Sequence, residues 1–514
     1  MFGKHKIHDG HVKPSRFDRD LIVIGAGSGG LVSAYIGAAV RAKVSLIEKG
    51  AMGGDCLNTG CVPSKALIRT ARLVHDIRHA ADHGVAEASY RLDFAATMER
   101  VQSVIAKVEP HDSPERYRGL GVDVIEGAAR IVSPWAVEVN GRTLTTRGIV
   151  VATGASPSVP PIPGLVDVPY RSSENLWEMR EQPRRLVVLG GGPIGSELTQ
   201  AFARLGSEVW QVERGNRIMG REDPDVSSEV ERRFAAEGVH VLTGTSAVAV
   251  EGADAPDADG GRGVLVAERG GETLRLPFDE LVVAVGRTPN VTGFGLEELG
   301  VEIDERGTVA TDAYLRTSVP SIYAVGDVAG PFQFTHTASH QAWYATVNAL
   351  FGMFRRFKVD YRVIPWATFT DPEVARVGLN ESDAKARGIP YELTVYEIGE
   401  SDRAIADSAD EGFIKVLTVP GRDTILGVTI VGAHAGELIA EYVLAMKRKV
   451  GLKRLLGTIH VYPTLAESNK AAAGVWQKAH QPERVLGWLE RFHAWRRGGA
   501  APDMPAAVET MAHR

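Results

Sequence analysis

The stretch LIVIGAGSGGLVSAYIGAAVRAKVSLIEKG, residues 21–50, decides the fold. An apolar segment leads into a glycine cluster, and a helical segment then leads into a second apolar segment that ends near Glu48. Between a strand and a helix, Gly25 permits a tight turn, Gly27 lets the backbone approach a pyrophosphate, and Gly30 lets the helix pack on the strand. An acid at the position of Glu48 accepts hydrogen bonds from ribose hydroxyls. The stretch predicts a βαβ unit that binds a dinucleotide.

The same pattern recurs in residues 186–215. There the glycines are Gly190, Gly192 and Gly195, and Glu213 follows the first glycine at the same distance as in the first copy. One such motif is a weak signal, but two units with equally spaced acids are strong evidence. Both acids favour a ribose with a free 2′-hydroxyl. A glycine turn that binds no nucleotide remains the alternative for each copy.

Length and composition narrow the function. The chain has 514 residues, of which 44% are hydrophobic and 24% charged, so it is a globular protein of several domains. A net charge of −6 makes nucleic acid an unexpected partner. Residues 21–40 carry no charge, but their glycines argue against a membrane span. Because the N-terminal residues lack the apolar core of a secretory signal, we expect a cytoplasmic protein.

The rest of the chain reads as alternating strands and helices up to about Tyr361, and as isolated strands mixed with helices beyond it. We therefore predict an α/β fold with two Rossmann-like dinucleotide-binding domains and an α+β C-terminal domain. Near the C-terminus, Trp488, Phe492 and Trp495 occur at helical spacing. They predict an amphipathic helix that packs on protein, with a membrane-surface role as the alternative.

Only two cysteines occur, Cys56 and Cys61, in the segment GGDCLNTGCVPSKAL. In a regular helix their five-residue separation would span about 7.5 Å, more than the ~6.8 Å between Cα atoms that a disulfide ordinarily allows. Asn58 and Gly60 tolerate the distorted turn that a bridge would need, and Pro63 suits the first turn of a following helix. A thiol beside a helix N-terminus has a lowered pKa. The pair therefore reads as redox-active.

Three other interpretations of the cysteines stay open. They are a structural disulfide, two unrelated buried thiols, and a metal site completed by His75, His79 and His83. The three histidines more simply form a solvated helix face, so no metal site is predicted.

These features resemble the flavin-dependent pyridine nucleotide-disulfide oxidoreductases, the family of dihydrolipoamide dehydrogenase, glutathione reductase and mercuric reductase. The resemblance covers about residues 18–475. It rests on the two glycine motifs with their acids, the cysteine segment, ATG at 152–154, VGRTPN at 285–290, and TSVPSIYAVGD ending at Asp327.

The resemblance implies a division into domains. The expected parts are a polar tail (1–17), an FAD domain with the redox disulfide (18–163), an NAD(P) domain (164–285), a central domain that completes the FAD site (286–364), a dimerisation domain (365–479) and a helical extension (480–514). It also implies a homodimer.

The resemblance further assigns cofactor residues. Those expected to bind FAD are Gly25, Gly27, Gly30, Glu48, Gly127, Thr153, Gly154, Asp327 and Ala338. Those expected to bind the nicotinamide cofactor are Gly190, Gly192, Gly195, Glu213 and Gly286. NADH is favoured over NADPH because a carboxylate at Glu213 would repel a 2′-phosphate, although Arg214 and Arg217 follow closely.

The implied catalysis passes a hydride from the nicotinamide to the flavin, whose electrons open a Cys56–Cys61 disulfide. Cys61 would be the thiol nearer the flavin, and Cys56 would exchange with a small or protein-bound disulfide substrate. Lys65 and Glu197 would lie by the flavin ring.

The chain departs from this pattern in the segment HVYPTLAE. The family's disulfide reductases have a histidine directly before Pro-Thr, whereas this chain has Tyr462, and the acid Glu467 remains. A tyrosine is a poor proton shuttle at neutral pH, and His460 is a possible substitute. Tyrosine here resembles mercuric reductases, but their additional C-terminal cysteine pair is missing, since no cysteine follows Cys61. Three hypotheses remain: a disulfide reductase, a soft-metal or quinone reductase, and a redox-sensing flavoprotein.

Overall fold

The computed structural model describes residues 10–252 and 261–499. The chain divides into two compact units, residues 1–374 and 375–514, and the division falls inside a strand. The predicted polar tail and C-terminal extension therefore lie partly outside the described residues. No described helix is long and apolar enough to cross a membrane.

The first Rossmann-like sheet follows from the opening stretch of sequence. Its parallel part has the order β3-β2-β1-β6-β16, and β4 and β5 extend it in antiparallel fashion from β6. The first six strands are Arg19–Ile24 (β1), Val44–Glu48 (β2), Asp123–Glu126 (β3), Arg130–Ser133 (β4), Ala136–Val139 (β5) and Arg142–Val151 (β6), and β16 is Ile322–Ala324. Leu21, Ile22 and Val23 are completely buried, as expected of a central parallel strand.

This part of the fold also contains helices, two of which carry the cysteines. They are Ser28–Ala39 (α1), Gly54–Asn58 (α2), Cys61–Arg78 (α3), Phe94–Val108 (α4), Pro114–Gly119 (α5) and, later in the chain, Thr335–Phe351 (α8). Cys61 is the first residue of α3, and Pro63 lies in its first turn, as the sequence predicts.

The second Rossmann-like sheet is parallel with the order β10-β9-β8-β14. Its elements are Arg185–Leu189 (β8), Pro193–Leu205 (α6), Glu208–Val212 (β9), Pro224–Ala236 (α7), His240–Leu242 (β10) and Glu280–Val283 (β14). An antiparallel sheet of Thr245–Gly252 (β11), Gly263–Arg269 (β12) and Glu272–Phe278 (β13) adjoins it in sequence, and Ala155–Pro157 (β7) pairs with Arg287–Pro289 (β15).

The second unit is α+β. The strands Glu373–Gly378 (β18), Glu392–Glu397 (β19), Phe413–Thr418 (β20) and Ile425–Gly432 (β21) have the order β18-β21-β20-β19, and Pro365–Thr368 (β17) precedes them. The helices are Glu381–Ala386 (α9), Asp402–Ala406 (α10), Ala435–Arg448 (α11), Leu452–Leu456 (α12), Glu467–Ala479 (α13) and Glu483–Arg496 (α14). The predicted α/β class with two Rossmann-like units and an α+β C-terminal part is confirmed.

The predicted C-terminal helix is present. The helix forms as α14, but Trp488 and Trp495 are 63% and 76% exposed, so its aromatic face does not pack on the described chain. Amphipathic spacing shows which residues share a face, but it carries no information about what covers that face.

Candidate redox and nucleotide sites

The first glycine turn has no room for side chains. Gly25 has a φ of +96°, and a Cβ there would lie 2.4 Å from the Ala152 carbonyl oxygen. A Cβ on Gly30 would lie 1.8 Å from the Gly25 carbonyl oxygen. Gly27 caps α1, whose first N–H groups have no partner within the helix. The turn thus fits a pyrophosphate at a helix N-terminus.

Glu48 holds this turn in place. Its Oε2 accepts a hydrogen bond from the Ala26 N–H at 2.6 Å, and its Oε1 accepts one from the Gly50 N–H at 2.8 Å. The Gly127 N–H bonds to the Glu48 carbonyl oxygen at 2.7 Å, with a φ of +153° at Gly127. Because a carboxylate has about four acceptor positions, Glu48 retains capacity for ribose hydroxyls.

The second glycine turn repeats these contacts. A Cβ on Gly190 would lie 2.4 Å from the Ala284 carbonyl oxygen, and one on Gly195 would lie 2.1 Å from that of Gly190. Gly192 caps α6, with no neighbouring atom within 4 Å of its hypothetical Cβ. Glu213 accepts from the N–H groups of Gly191 and Gly215, at 2.6 and 2.5 Å. The repeat therefore extends to individual hydrogen bonds.

The repeat has a third part: in each copy, a later strand ends beside the glycine turn. IVVATG at 149–154 ends beside Gly25, and LVVAVG at 281–286 ends beside Gly190. This places Thr153 and Gly154 near the first turn, and Gly286 two residues after Ala284 near the second. The Thr153 hydroxyl donates to the Asn290 carbonyl oxygen at 2.8 Å. The similarity of these two strands is a signal in the sequence that could have placed both segments at the turns.

The chain bends between the two cysteines. Cys56 lies in the short helix α2, which ends at Asn58, and Cys61 begins α3. The Asn58 side-chain amide donates to the carbonyl oxygens of Met52 and Gly54, at 3.0 and 2.9 Å. Both cysteines are free thiols, with Cys56 half-buried and Cys61 exposed. Their sulfurs are hydrogen-bonded to each other.

This hydrogen bond gives the two thiols different pKa values. It lowers the pKa of Cys61 to about 6, because the Cys56 thiol donates to the Cys61 sulfur, and the Thr335 hydroxyl and the Lys65 ammonium group lower it further. The Thr335 Oγ1 lies 3.6 Å from the Cys61 Sγ. The pKa of Cys56 is raised by the same hydrogen bond and by burial. These shifts favour Cys61 over Cys56 as the carrier of the negative charge in the reduced pair.

Lys65 and Glu197 meet one helical turn beyond Cys61. The Lys65 Nζ lies 2.8 Å from the Glu197 Oε2 and 4.4 Å from the centre of the Phe369 ring. The other oxygen of Glu197 accepts from the Phe369 N–H at 2.9 Å. Since Glu197 is nearly fully buried, this pairing places a fixed cation near the thiols.

A cluster around Asp327 was not predicted from the sequence. The Arg287 Nε lies 3.5 Å from the Asp327 Oδ2, and the Arg287 guanidinium also bonds to Asp55, next to Cys56. Burial raises the pKa of Asp327, and Arg287 opposes this shift. Ala338 is buried in the first turn of α8. Arg287 stands in the VGRTPN segment, but no local signal links it to Asp55.

In the second unit, Tyr462 and His460 each bond to a carboxylate. The Tyr462 hydroxyl donates to the Asp402 Oδ2 at 3.0 Å, and this hydrogen bond raises the pKa of Tyr462, which is 66% exposed. The His460 Nε2 lies 2.9 Å from the Glu441 Oε1, and its Nδ1 lies 3.2 Å from the Thr458 carbonyl oxygen. Both ring nitrogens of His460 are thus engaged. Glu467 begins α13.

The expected solvated face of three histidines is wrong for His75. Its ring stacks on that of His79 at 4.1 Å, and its Nε2 lies 3.3 Å from an Arg233 guanidinium nitrogen. Burial lowers the pKa of His75 to about 4. Because α3 ends at Arg78, His83 does not continue the same helical face. Within the described residues no cluster of His, Cys, Asp and Glu could hold a metal ion.

The comparisons with known proteins agree with this geometry. The family model for pyridine nucleotide-disulphide oxidoreductases matches residues 19–342, and the model for that family's dimerisation domain matches residues 364–473. The dihydrolipoyl dehydrogenase of Thermus scotoductus is 37% identical over 466 residues, covering 89% of this chain and 97% of that protein. The mercuric reductase of Bacillus cereus is 33% identical over 462 residues, covering 90% of this chain and 72% of that protein.

A similar solved structure is the HOCl-induced flavoprotein disulfide reductase RclA of Escherichia coli. It matches with a TM-score of 0.78 and 25% identity, covering 89% of this chain and 99% of that one. RclA has also been solved as a Cu(II) complex, which matches with a TM-score of 0.77 and the same identity. The dimerisation-domain match supports the expected homodimer, and FAD with a pyridine nucleotide is the family's cofactor set. The chain belongs to the pyridine nucleotide-disulphide oxidoreductase family and is a flavin-dependent disulfide oxidoreductase.

Proposed function

We propose that this enzyme is NADH-linked and delivers an electron pair through Cys56 and Cys61 to a small or protein-bound disulfide. The observation that carries the proposal is the placement of the two thiols: Cys56 and Cys61 flank the bend between α2 and α3, with the Thr335 hydroxyl oxygen 3.6 Å from the Cys61 sulfur. The pKa of Cys61 is lowered and that of Cys56 is raised, which favours a charged Cys61 beside a protonated Cys56. This division of roles suits a redox pair.

The residues around the first glycine turn fit FAD. Gly25, Gly27 and Gly30 would hold its pyrophosphate and Glu48 its ribose, with Asp327 and the backbone near Gly127, Thr153, Gly154 and Ala338 completing the site. When bound, FAD supplies the transfer of an electron pair between nicotinamide and disulfide. Arg287, which faces two acids, adds the positive charge that a pyrophosphate nearby would need.

The thiol chemistry balances with this pair alone. The Cys56 sulfur attacks the substrate disulfide, which forms a mixed disulfide and releases the first substrate thiolate. The Cys61 thiolate then attacks the Cys56 sulfur, releasing the second thiolate and leaving a Cys56–Cys61 disulfide. The substrate gains two electrons, which the pair loses, and the two released thiolates take up the proton of Cys56 and one from solvent.

Removal of the proton from Cys56 is the least favourable of these steps. Its thiol donates to Cys61, and its raised pKa opposes formation of the attacking thiolate. Tyr462, which replaces the family's histidine, is itself held protonated by its hydrogen bond to Asp402. Exchange with lipoamide-type disulfides should therefore be slow at neutral pH and rise with pH.

The second glycine turn supports NADH over NADPH. Glu213 already accepts two backbone hydrogen bonds and would repel a 2′-phosphate. The Arg217 guanidinium donates to the carbonyl oxygens of Gly220 and Glu222, at 3.1 and 3.2 Å, so it is engaged with its own loop. The values of kcat/KM with NADH and NADPH test this preference directly.

Anaerobic titration of the holoenzyme tests the proposal. It should take up about four electrons per flavin, two for the flavin and two for the disulfide. The Cys56→Ser and Cys61→Ser variants should take up about two. Uptake of only two electrons by the wild type would contradict a redox role for the pair.

A soft-metal reductase is the second candidate, and Tyr462 favours it. Paired thiols are soft ligands for such ions, and a metal acceptor needs no protonated leaving group. A panel of lipoamide, glutathione disulfide, Cu(II) and Hg(II), each tested for NADH oxidation, separates the two candidates. Oxidation that is much faster with the metals than with either disulfide would favour the second.

A further inference from the structure

The C-terminal helix α14 has an apolar face that the described chain leaves uncovered. Trp488, Phe492 and Trp495 follow one another at four and three residues, so they share one face of the helix. Their exposed fractions are 63%, 36% and 76%, and Val485 beside them is 49% exposed. The rings of Trp488 and Phe492 lie 5.8 Å apart, and those of Phe492 and Trp495 6.1 Å.

The small residues of α14 lie on the other side. Gly487 and Ala494 are seven residues apart, two turns, and therefore form one row. Ala494 is 6% exposed and is the one buried residue of this helix. The helix thus turns its small side chains inward and its aromatic side chains outward, the reverse of a helix that stabilises its own domain.

The basic and acidic side chains of α14 lie on different sides of the helix. At about 100° per residue, Arg484 and Arg491 flank the aromatic row on one side and Arg496 flanks it on the other. Glu483 and Glu490 form a row opposite Phe492. No carboxylate of the described chain forms an ion pair with these three arginines, and Arg496 lies over the Phe492 ring at 5.9 Å.

The start of α14 is held firmly. It follows α13 after a short turn, in which the His480 ring stacks on Trp476 at 4.1 Å and its Nε2 lies 2.9 Å from the Glu392 Oε2. Residues 480–499 contain four arginines and two glutamates, in a chain whose net charge is −6. A locally basic, aromatic helix is therefore anchored to an acidic protein.

We infer that α14 is a docking surface for an anionic lipid bilayer, lying in the plane of the interface. An outward aromatic face flanked by arginines, with acids directed away, matches the amphipathic helices that insert side chains at the headgroup boundary. Long arginine side chains reach the headgroups while their stems stay in the apolar layer. The enzyme would thereby work at a membrane surface without spanning it, which extends beyond the proposed reaction.

Vesicle flotation of the full-length holoenzyme tests the inference. We expect binding to phosphatidylcholine vesicles that contain phosphatidylglycerol and little binding to phosphatidylcholine alone. The Arg484→Gln/Arg491→Gln/Arg496→Gln variant should bind roughly a hundredfold more weakly, because each arginine near an anionic surface strengthens binding by about fivefold. The Trp488→Ser/Phe492→Ser/Trp495→Ser variant should lose binding.

Matched controls separate this effect from misfolding. Glu483→Gln/Glu490→Gln should bind at least as well as the wild type, because the acids face away from the aromatic row. Phe354→Ser removes another aromatic ring that is 81% exposed, in the first unit, and should leave binding unchanged. Flavin content and NADH oxidation in solution should stay unchanged in all variants. Equal binding to neutral and anionic vesicles, or no binding, would overturn the inference.

A second copy of the chain is the competing occupant of this face. If the aromatic variant changed the sedimentation coefficient of the enzyme, the face would be covered in the oligomer and the inference would be wrong. An unchanged coefficient together with lost vesicle binding would support the lipid surface.

Discussion

The two glycine turns have the same backbone contacts and differ in what packs against them. Against the first lies the loop that carries Cys56, since a Cβ on Gly54 would come within 2.6 Å of the Gly27 Cα. Against the second, the space around Gly192 is open. In the proposed function, the first turn is therefore part of the electron path, and the second stays accessible to a ligand that exchanges.

The largest effects are expected when a valine side chain is placed in either glycine turn. Gly30→Val should abolish flavin binding, because its side chain would overlap the Gly25 carbonyl group. Gly195→Val should keep the flavin but lower NADH turnover by roughly a hundredfold, the loss of about two charged hydrogen bonds. Flavin absorbance per chain and kcat/KM for NADH measure the two effects. Loss of flavin from both variants would remove the distinction between the turns.

The cysteine pair, which packs only against the first turn, is tested by replacing either cysteine. Cys56→Ser or Cys61→Ser should lower disulfide reduction more than about a thousandfold, because residues that act as a unit fail together. Flavin content should stay at the wild-type level. Disulfide turnover of more than a few per cent in either variant would mean that electrons leave the flavin by another route.

Replacing the acid of each turn by alanine tests whether Glu48 and Glu213 serve different cofactors. Glu213→Ala should lower kcat/KM for NADH and raise it for NADPH, changing their ratio by about tenfold or more, since each 1.4 kcal/mol of lost repulsion is a factor of ten. Glu48→Ala should reduce flavin affinity and leave the cofactor ratio unchanged. A changed ratio in Glu48→Ala would show that the two acids are not specialised.

A smaller change is expected in the second unit. Tyr462→His would supply a proton acceptor with a pKa near neutrality, and it should raise lipoamide turnover by about tenfold. Tyr462→Phe, the control, should change it little, because the tyrosine hydroxyl is bonded to Asp402. If both variants behaved alike, position 462 would have no part in proton transfer.

The smallest effect concerns the charge beside the thiols. Lys65→Met removes a cation that lowers the pKa of Cys61, so the pKa should rise and the thiolate should be lost at a higher pH. Glu197→Gln removes an acid that raises this pKa and should act in the opposite direction. The pH dependence of the thiolate absorbance in the reduced enzyme measures both shifts.

Local features of the site could be predicted and distant ones could not. The glycine turns and the bent cysteine segment each lie within about thirty residues, where spacing reports backbone geometry. Thr335, by contrast, is 274 residues from Cys61, and Arg287 is 232 residues from Asp55. No periodicity connects such pairs, because the packing of whole helices and strands brings them together.

His75 and α14 show the same limit on surfaces. Helical spacing placed three histidines in one row, but packing against Arg233 buried His75 and the end of α3 separated His83. In α14 the spacing located an aromatic face correctly, but the structure was needed to show that the face is exposed. A sequence pattern identifies a face and leaves its partner undetermined.

In the reduced enzyme, we expect Cys61 to carry the negative charge of the thiol pair. The location of the charge is measured by a pH titration of the long-wavelength thiolate-to-flavin absorbance, in the two-electron-reduced wild type and in both serine variants with their flavin oxidised. We predict a band that is strong at pH 8, falls to half near pH 6, persists in Cys56→Ser and is absent in Cys61→Ser. A band that persisted in Cys61→Ser and vanished in Cys56→Ser would place the charge on Cys56 and contradict the account.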